Sequence, residues 1–143
     1  MPLKLDVVTI EREVYSADDV DMVVLPGVEG VMGVLPHHAP VVSALKEGVL
    51  EIKRGDRREV IAIGGGFAEV RPDGVIVMAD VAEKSDEIDE ERAERARKNA
   101  LDAIASAPAT ADRLDAMASL RRAEIRLRVS RQRRQPSARD MAG

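Results

Sequence analysis

The chain changes its hydrophobic period near residue 84, and this change limits what it can fold into. Before that point apolar residues alternate with other residues, as in Leu3–Val8, a period of two that is typical of half-buried β-strands. Residues 86–106, by contrast, lack glycine, proline, valine and aromatic residues and are rich in alanine, glutamate and arginine, which favour helix. The sequence therefore predicts an α+β chain, with an all-β domain over 1–84 and a helical segment after it.

Short strand-like runs recur through the first half and are separated by residues that favour turns. Beyond the first, these runs span residues 20–25, 31–35, 49–53, 59–63, 67–71 and 75–79. Gly55-Asp56 and Gly64-Gly65-Gly66 are among the predicted turns between them. Many short strands with regularly spaced turns predict an all-β sandwich or barrel.

The second half predicts a two-helix arm over 85–135 and a polar, disordered tail over 136–143. Ser106–Thr110 breaks the helical pattern, and Thr110 is a suitable N-cap for the second helix. One face of each helix is predicted to meet the other. These faces comprise Ala93, Ala96, Ala100 and Ile104 on the first helix, and Leu114, Ala118, Ile125 and Val129 on the second. Burial contributes about 25 cal/mol per Å² of apolar surface, so a seam made mainly of alanine predicts a weakly docked, detachable arm.

Composition excludes several classes of function. The chain has no cysteine, so thiolate zinc sites and cysteine nucleophiles are excluded. Its only aromatic residues are Tyr15 and Phe67, which argues against stacking of nucleic-acid bases. No signal peptide or spanning helix is visible, because the longest uncharged run, residues 31–45, is short and broken by prolines. We expect a soluble, cytoplasmic chain that does not insert into a membrane.

The segment LPGVEGVMGVLPHHAP, residues 25–40, has the glycine content of a ligand loop but not the pattern of one. It matches neither a P-loop nor a dinucleotide fingerprint, since its glycines fall every third residue and no helix follows. His37 and His38 are adjacent and no further histidine or cysteine completes a metal shell, so no metal site is predicted. From the residues alone, the glycines and prolines indicate a shaped loop between strands.

This segment, together with later ones, resembles the epsilon subunit of the rotary, F-type ATP synthase of bacteria. The later segments are Gly48–Ile52 (GVLEI), Gly65–Val70 (GGFAEV) and Ile88–Ala93 (IDEERA), and the opening Leu3–Thr9 (LKLDVVT) also matches. The resemblance covers about residues 3–133. It implies a β-sandwich of about ten strands followed by an α-helical hairpin, in agreement with the two hydrophobic periods.

The resemblance implies a non-catalytic subunit of the central stalk, or rotor, on the cytoplasmic face of the plasma membrane. Such a subunit couples the gamma subunit to the proton-driven membrane ring of c subunits. Its movable arm inhibits ATP hydrolysis by reaching the alpha/beta catalytic head. The implied partner interface comprises Glu29, Gly30, Val31 and Met32 toward the ring, and His38 toward gamma. An ordinary exposed loop histidine remains an alternative for His38.

Charge in the second half suits this role. Residues 1–84 carry a formal charge of −6 and residues 85–143 carry +2, with eight arginines between 121 and 139. A basic helix end is attracted to acidic partner surfaces. A solvated charged face is the alternative for Arg131, Arg133, Arg134 and Arg139.

Some bacterial epsilon subunits bind ATP in the folded hairpin, and the resemblance extends to that motif. By this similarity Ile88, Asp89 and Ala93 would hold the base and ribose, with Glu83 preceding them. Arg92, Arg122 and Arg126 would contact the phosphates; the last two are four residues apart and share a helix face. Asn99 stands where the best ATP binders carry a further arginine, and losing such a contact costs about 1.5–3 kcal/mol. The motif nevertheless implies ATP as a possible regulatory ligand, and no cofactor is required.

Two other readings compete. Asp89 and Arg92 could merely cap and pair at a helix start, without any ligand. The whole chain could instead be a freestanding β-sandwich adaptor with a helical interaction arm. An enzyme is not predicted, because Asp80, Glu83 and the two histidines form no nucleophile–base arrangement in the sequence.

Overall fold

The computed structural model describes residues 2–107 and 110–132. The predicted tail, 136–143, and Arg133, Arg134 and Arg139 lie outside the described residues. Eight strands come first: β1 (Leu3–Val8), β2 (Glu13–Val20), β3 (Met22–Gly27), β4 (Gly30–Val34), β5 (Val41–Arg54), β6 (Arg57–Arg71), β7 (Gly74–Ala79) and β8 (Ala82–Lys84). A short 3₁₀ turn, Ser85–Glu87, then leads to two helices, α1 (Glu90–Ser106) and α2 (Thr110–Gln132). The predicted fold class, a β-sandwich followed by a helical hairpin, is confirmed.

The strands pair in the order β2-β1-β7-β6-β5-β3-β4, and β8 pairs with the first half of β6. The described pairings are antiparallel except that of β1 with β7, in which Leu5 lies opposite Val75. Side chains from β1 and β3, which are far apart in this order, share one buried cluster. The pleated surface therefore folds back on itself and forms two facing layers.

Two long, bent strands connect the layers. In β5 and β6, residues 41–45 pair with 66–70 in one layer and residues 49–54 pair with 57–62 in the other. Each of these two strands contributes a segment to both layers. The described sandwich therefore has eight strands where about ten were predicted. Gly64-Gly65-Gly66, predicted as a turn, is instead the bend within β6, where Gly65 and Gly66 have φ of 91° and 123°.

Gly66 is required at that bend for two reasons. Residues that carry a side chain rarely adopt a φ of 123°. A Cβ atom there would also lie 2.2 Å from the carbonyl oxygen of Met78 and 2.8 Å from Cα of Ala79. The close approach of β7 to β6 therefore needs a residue without a side chain.

The sandwich core is aliphatic and contains inward-facing residues of both layers. Its largest fully buried side chains include Leu3, Leu5, Leu25, Leu50, Ile52, Ile61 and Ile63. Fully burying one such side chain stabilises the fold by about 1.5–3 kcal/mol. The sandwich therefore has a core of its own, independent of the helices.

The arm contacts the sandwich mainly through α2. Val129 is fully buried in a second cluster with Val60, Ala62 and Ile88, and Ile125 packs against the same cluster. The outward-facing side of β5 and β6 is thus covered by α2, whereas α1 packs mainly against α2. α2 is therefore the inner helix of the hairpin.

The predicted stripe on α2 is partly wrong. The buried residues between the helices are Ala93 and Ala100 of α1, and Ala116, Ala123, Leu127 and Ser130 of α2. Ile125 and Val129 face the sandwich instead, and Leu114 is 58% exposed. Because α2 packs on two neighbours, its apolar residues occupy two faces, which a single predicted stripe cannot represent. The seam itself is rich in alanine, as predicted.

Candidate functional site

A cavity of about 560 Å³ lies where α1 and α2 meet the sandwich. This volume is within the range of small-molecule sites in proteins. Its walls combine sandwich residues with residues of both helices: Glu47, Ala62, Ile63, Gly64, Val81, Glu83, Arg92, Ala96, Ser119, Arg122, Ala123, Ile125 and Arg126. The cavity therefore exists only while the arm is folded onto the sandwich.

Four of the predicted nucleotide-site residues line this cavity: Glu83, Arg92, Arg122 and Arg126. Arg126 donates from Nη2 to Oε2 of Glu83 at 3.1 Å and from Nε to the same oxygen at 3.3 Å. Arg122 lies on the preceding turn, four residues earlier on α2, as the sequence predicted. Three guanidinium groups at one cavity form an arrangement that suits a polyanion.

The other three predicted residues are not on the described cavity wall. Ile88 is buried in the cluster beneath α2, and Ala93 is fully buried against α2. Asp89 is the N-cap of α1, where its Oδ1 accepts a hydrogen bond from the backbone N–H of Arg92 at 3.1 Å. The three fix the position of the first turn of α1, and hence the backbone that carries Arg92.

Asn99 and its neighbours contribute nothing to the described cavity walls. Asn99, Lys98 and Arg95 are all exposed on α1, and none of them lines the cavity. The charge missing at Asn99 is thus not replaced by either of the adjacent basic residues that the sequence offered. Any phosphate contact in this cavity depends on the three arginines named above.

The connection between sandwich and arm is fastened by a bidentate ion pair. Arg12, in the turn between β1 and β2, donates to both carboxylate oxygens of Glu87 at 2.8 and 2.9 Å. Glu87 Oε2 also accepts from the backbone N–H of Lys84 at 3.0 Å. These hydrogen bonds to Arg12 hold the pKa of the Glu87 carboxyl below its ordinary value. The 3₁₀ turn is therefore an ordered connection rather than a loose linker.

Sequence reasoning missed the sandwich side of the cavity. Glu47, Gly64 and Val81 come from three different strands or turns and are brought together by pairing, for example of Glu47 with Gly64 across β5 and β6. No local pattern marks Glu47 as a site residue. Only the register of the two bent strands could have identified it.

The predicted interface residues lie at two separate places on the surface. Glu29, Gly30 and Val31 form the tip between β3 and β4, where Val31 is 75% exposed, and Met32 packs partly against the core. His38 lies in the separate connection from β4 to β5 and its Nδ1 is 2.7 Å from the carbonyl oxygen of Ala39. The segment 25–40 is thus a tight hairpin followed by a loop, rather than one loop.

A second exposed surface was not predicted. Val42, Phe67, Ile76 and Met78 are exposed on β5, β6 and β7. Phe67 lies opposite Met78, and in the next row Val42 and Ile76 lie on either side of Glu69. Phe67 is 55% exposed and Val42 is 68% exposed. We call these four residues the outer apolar face. Adjacent exposed apolar residues on a sheet typically mark a protein-binding surface.

The described residues contain neither a metal cluster nor a membrane span. Over 2–107 and 110–132, no three His, Asp or Glu side chains are grouped so as to hold a metal ion. Neither α1 nor α2, as far as the structure describes them, has the length and hydropathy needed to cross a bilayer.

Two family models together match nearly the whole described chain. The model of the ATP synthase Delta/Epsilon chain beta-sandwich domain matches residues 2–85, and that of the long alpha-helix domain of the same chain matches 86–131. The chain therefore belongs to the delta/epsilon chain family of ATP synthase.

Curated relatives narrow this assignment. The ATP synthase epsilon chain of Dehalococcoides mccartyi is 49% identical over 92% of this chain and 94% of its own length. That of Herpetosiphon aurantiacus is 46% identical over 94% and 98% of the two chains. This chain is therefore a stalk subunit of the epsilon type and not a catalytic subunit, so the freestanding adaptor is set aside. It works within a membrane-associated complex.

Solved structures agree with the fold. A chain in the Euglena gracilis mitochondrial ATP synthase OSCP/F1/c-ring structure superposes with a TM-score of 0.75 at 27% identity, covering 86% of this chain and 78% of that one. A chain of the Tetrahymena thermophila mitochondrial ATP synthase central stalk and c-ring has a TM-score of 0.55 at 10% identity, covering 94% and 98%. The second likeness concerns the fold alone.

Proposed function

We propose that this subunit joins the gamma subunit to the c-ring and restrains ATP hydrolysis through its arm, on the cytoplasmic face of the membrane. The observation that carries the proposal is the attachment of the arm. Its inner helix docks by one small apolar cluster and by polar contacts around a cavity lined by three arginines. An arm held in this way can leave the sandwich without unfolding it.

The gamma subunit binds, in this proposal, to the outer apolar face and to His38 in the connection that leads into β5. An exposed aromatic residue among aliphatic neighbours is a suitable anchor for a protein interface. The exposed tip with Glu29, Gly30, Val31 and Met32 contacts the c-ring. When the arm is released, its basic second helix reaches acidic surfaces of the alpha/beta head.

Replacing Phe67 by aspartate should weaken binding to the gamma chain at least about tenfold, because it removes the aromatic anchor of the outer apolar face and puts a charge in its place. Phe67 is more than half exposed, so the fold should lose only about 1–2 kcal/mol from the burial that remains and from the low strand propensity of aspartate. Co-purification with the gamma chain and a binding titration measure the effect. Leu114→Asp, at a similarly exposed apolar position on the arm, is the control; equal binding by both variants would contradict the proposal.

The cavity takes ATP as a regulatory ligand in this proposal. Arg92, Arg122 and Arg126 contact the phosphates, and the apolar wall that includes Ile63 and Val81 receives the base. Ile88, Asp89 and Ala93 contribute indirectly, because they fix the first turn of α1 and hence the position of Arg92. A ligand that binds only the folded arm stabilises it by mass action, so abundant ATP would relieve inhibition.

A calorimetric titration of the full chain with ATP tests this site. We expect saturable binding in the micromolar to low millimolar range, weakened at least about tenfold in Arg126→Ala, because a charge-assisted hydrogen bond is lost. Arg121→Ala, an exposed arginine of α2 outside the cavity, is the matched control. Arg58→Ala is a second control, since it removes the 2.7 Å hydrogen bond to Gln132 of α2 and leaves the cavity intact. A flat titration of the unmodified chain at millimolar ATP would refute the ATP site.

A further inference from the structure

We propose that Glu47 sets the charge selectivity of the cavity, by opposing the entry of highly charged phosphate chains at Arg122. The inference rests on the proposed ATP site and adds a selectivity residue from the sandwich to it. It follows from where Glu47 lies, from its pairing and from the charge balance of the cavity walls.

Glu47 reaches the cavity from the bend of β5. It is paired with Gly64 of β6, itself a wall residue, and its carboxylate lies on the sandwich side facing α2. Oε1 of Glu47 is 3.7 Å from Nη1 of Arg122. The side chain is 31% exposed, so its charge is only partly screened by water.

Each arginine that α2 contributes faces a carboxylate across the cavity. Arg126 is hydrogen-bonded to Glu83, whereas Arg122 is paired with Glu47 at the longer distance of 3.7 Å. Against the three wall arginines, the described walls therefore carry two negative charges. A phosphate group that reaches Arg122 must approach Glu47 as well, and like charges at such distances repel.

Arg122 has a second partner that holds it in place. Its Nη2 donates to Oγ of Ser119 at 3.0 Å, on the same helix. Removing the charge of Glu47 therefore leaves the guanidinium oriented and makes it available to phosphate. The Glu47–Arg122 pair is itself half-exposed and long, so it contributes little to the docking of α2.

Repulsion by Glu47 grows with the negative charge of the ligand. Glu47→Gln should therefore tighten ATP binding about tenfold, equivalent to about 1.4 kcal/mol. AMP carries about half the charge and should gain only about threefold, since the Coulomb energy is proportional to charge. The ratio of ATP to AMP affinity thus rises in the variant.

The experiment is a set of titrations of the full chain and its variants with ATP, ADP and AMP at one ionic strength. Glu51→Gln is the matched control: it removes the same charge from the same strand, where Glu51 pairs with Arg58, but it lies outside the cavity. We expect affinities within about twofold of the unmodified chain for this control, because its charge is farther from the ligand.

The outcomes separate the two proposals. If the unmodified chain binds ATP and Glu47→Gln binds it no more tightly, or gains equally for AMP, the role of Glu47 is overturned and the ATP site stands. If neither chain binds any of the three nucleotides at millimolar concentration, the site itself is refuted and the inference falls with it. If Glu47→Gln binds and the unmodified chain does not, the regulatory ATP site is refuted and the role of Glu47 stands, as the residue that excludes nucleotide from the cavity.

Discussion

Substituting Val129 by aspartate should release the arm while the sandwich stays folded. Val129 is fully buried in the small cluster between α2 and the sandwich, so the variant loses about 1.5–3 kcal/mol of burial. It also places a carboxylate with no described basic partner among Val60, Ala62 and Ile88, which costs several kcal/mol more. Few other apolar contacts hold α2 in place, so the expected result is an undocked hairpin.

Amide hydrogen exchange measures this release. Exchange in the second half of α2 should accelerate at least about a hundredfold, while strands β1 to β7 keep their protection. Arg128→Asp, the exposed neighbour on the same helix, is the control and should leave exchange of α2 nearly unchanged. Unaltered protection of α2 in the Val129 variant would show that polar contacts, rather than this cluster, hold the arm.

Replacing Gly66 by alanine should disrupt the sandwich itself. The residue would retain a φ of 123°, which costs about 1–3 kcal/mol for a residue with a side chain. Its Cβ would also overlap the backbone of Met78 and Ala79, and backbone atoms cannot move aside as a flexible side chain can. We expect a loss of at least about 4 kcal/mol, at the upper end of single substitutions and comparable with the whole stability of a small domain.

Denaturant unfolding followed by circular dichroism checks this loss, and a second glycine separates its two causes. Gly55 has a φ of 57°, but a Cβ there meets no atom within 4 Å. Gly55→Ala should therefore cost about 1–2 kcal/mol from its conformation alone. If the two variants unfold within about 1 kcal/mol of each other, the close approach of β6 and β7 is not the cause.

The fold class could be predicted from the sequence because each half carries its own local pattern of secondary structure. Alternation in segments such as Leu3–Val8 reflects the pleat of a strand, and the alanine-rich run before Ser106 reflects helix propensity. Both are properties of neighbours along the chain. Glycine signals were less decisive: Gly64-Gly65-Gly66 supports a bend inside a strand as readily as a turn between strands.

Only part of the cavity could be predicted from the sequence, because local patterns do not report contacts between distant segments. Arg122 and Arg126 are one turn apart on a helix, so their shared face follows from spacing alone. Glu47 joins them through pairing of β5 with β6 and docking of α2, which are contacts between distant parts of the chain. Likewise, Val129 faces the sandwich rather than α1, and a helical wheel of α2 alone does not show that the sandwich is a second packing partner.

Because α2 is the inner helix and follows the sandwich in the chain, the arm can dock on the sandwich only late in synthesis. The sandwich is complete once the strand ending at Lys84 has been made, whereas the helix that covers Val60 and Ala62 ends at Gln132. At about 5–20 residues per second, a ribosome needs roughly 2 to 10 s to make the residues in between, and domains generally fold as they emerge. For those seconds the nascent sandwich carries an uncovered apolar strip on one side and its outer apolar face on the other. A partner that binds the outer face can therefore engage the sandwich before the arm exists.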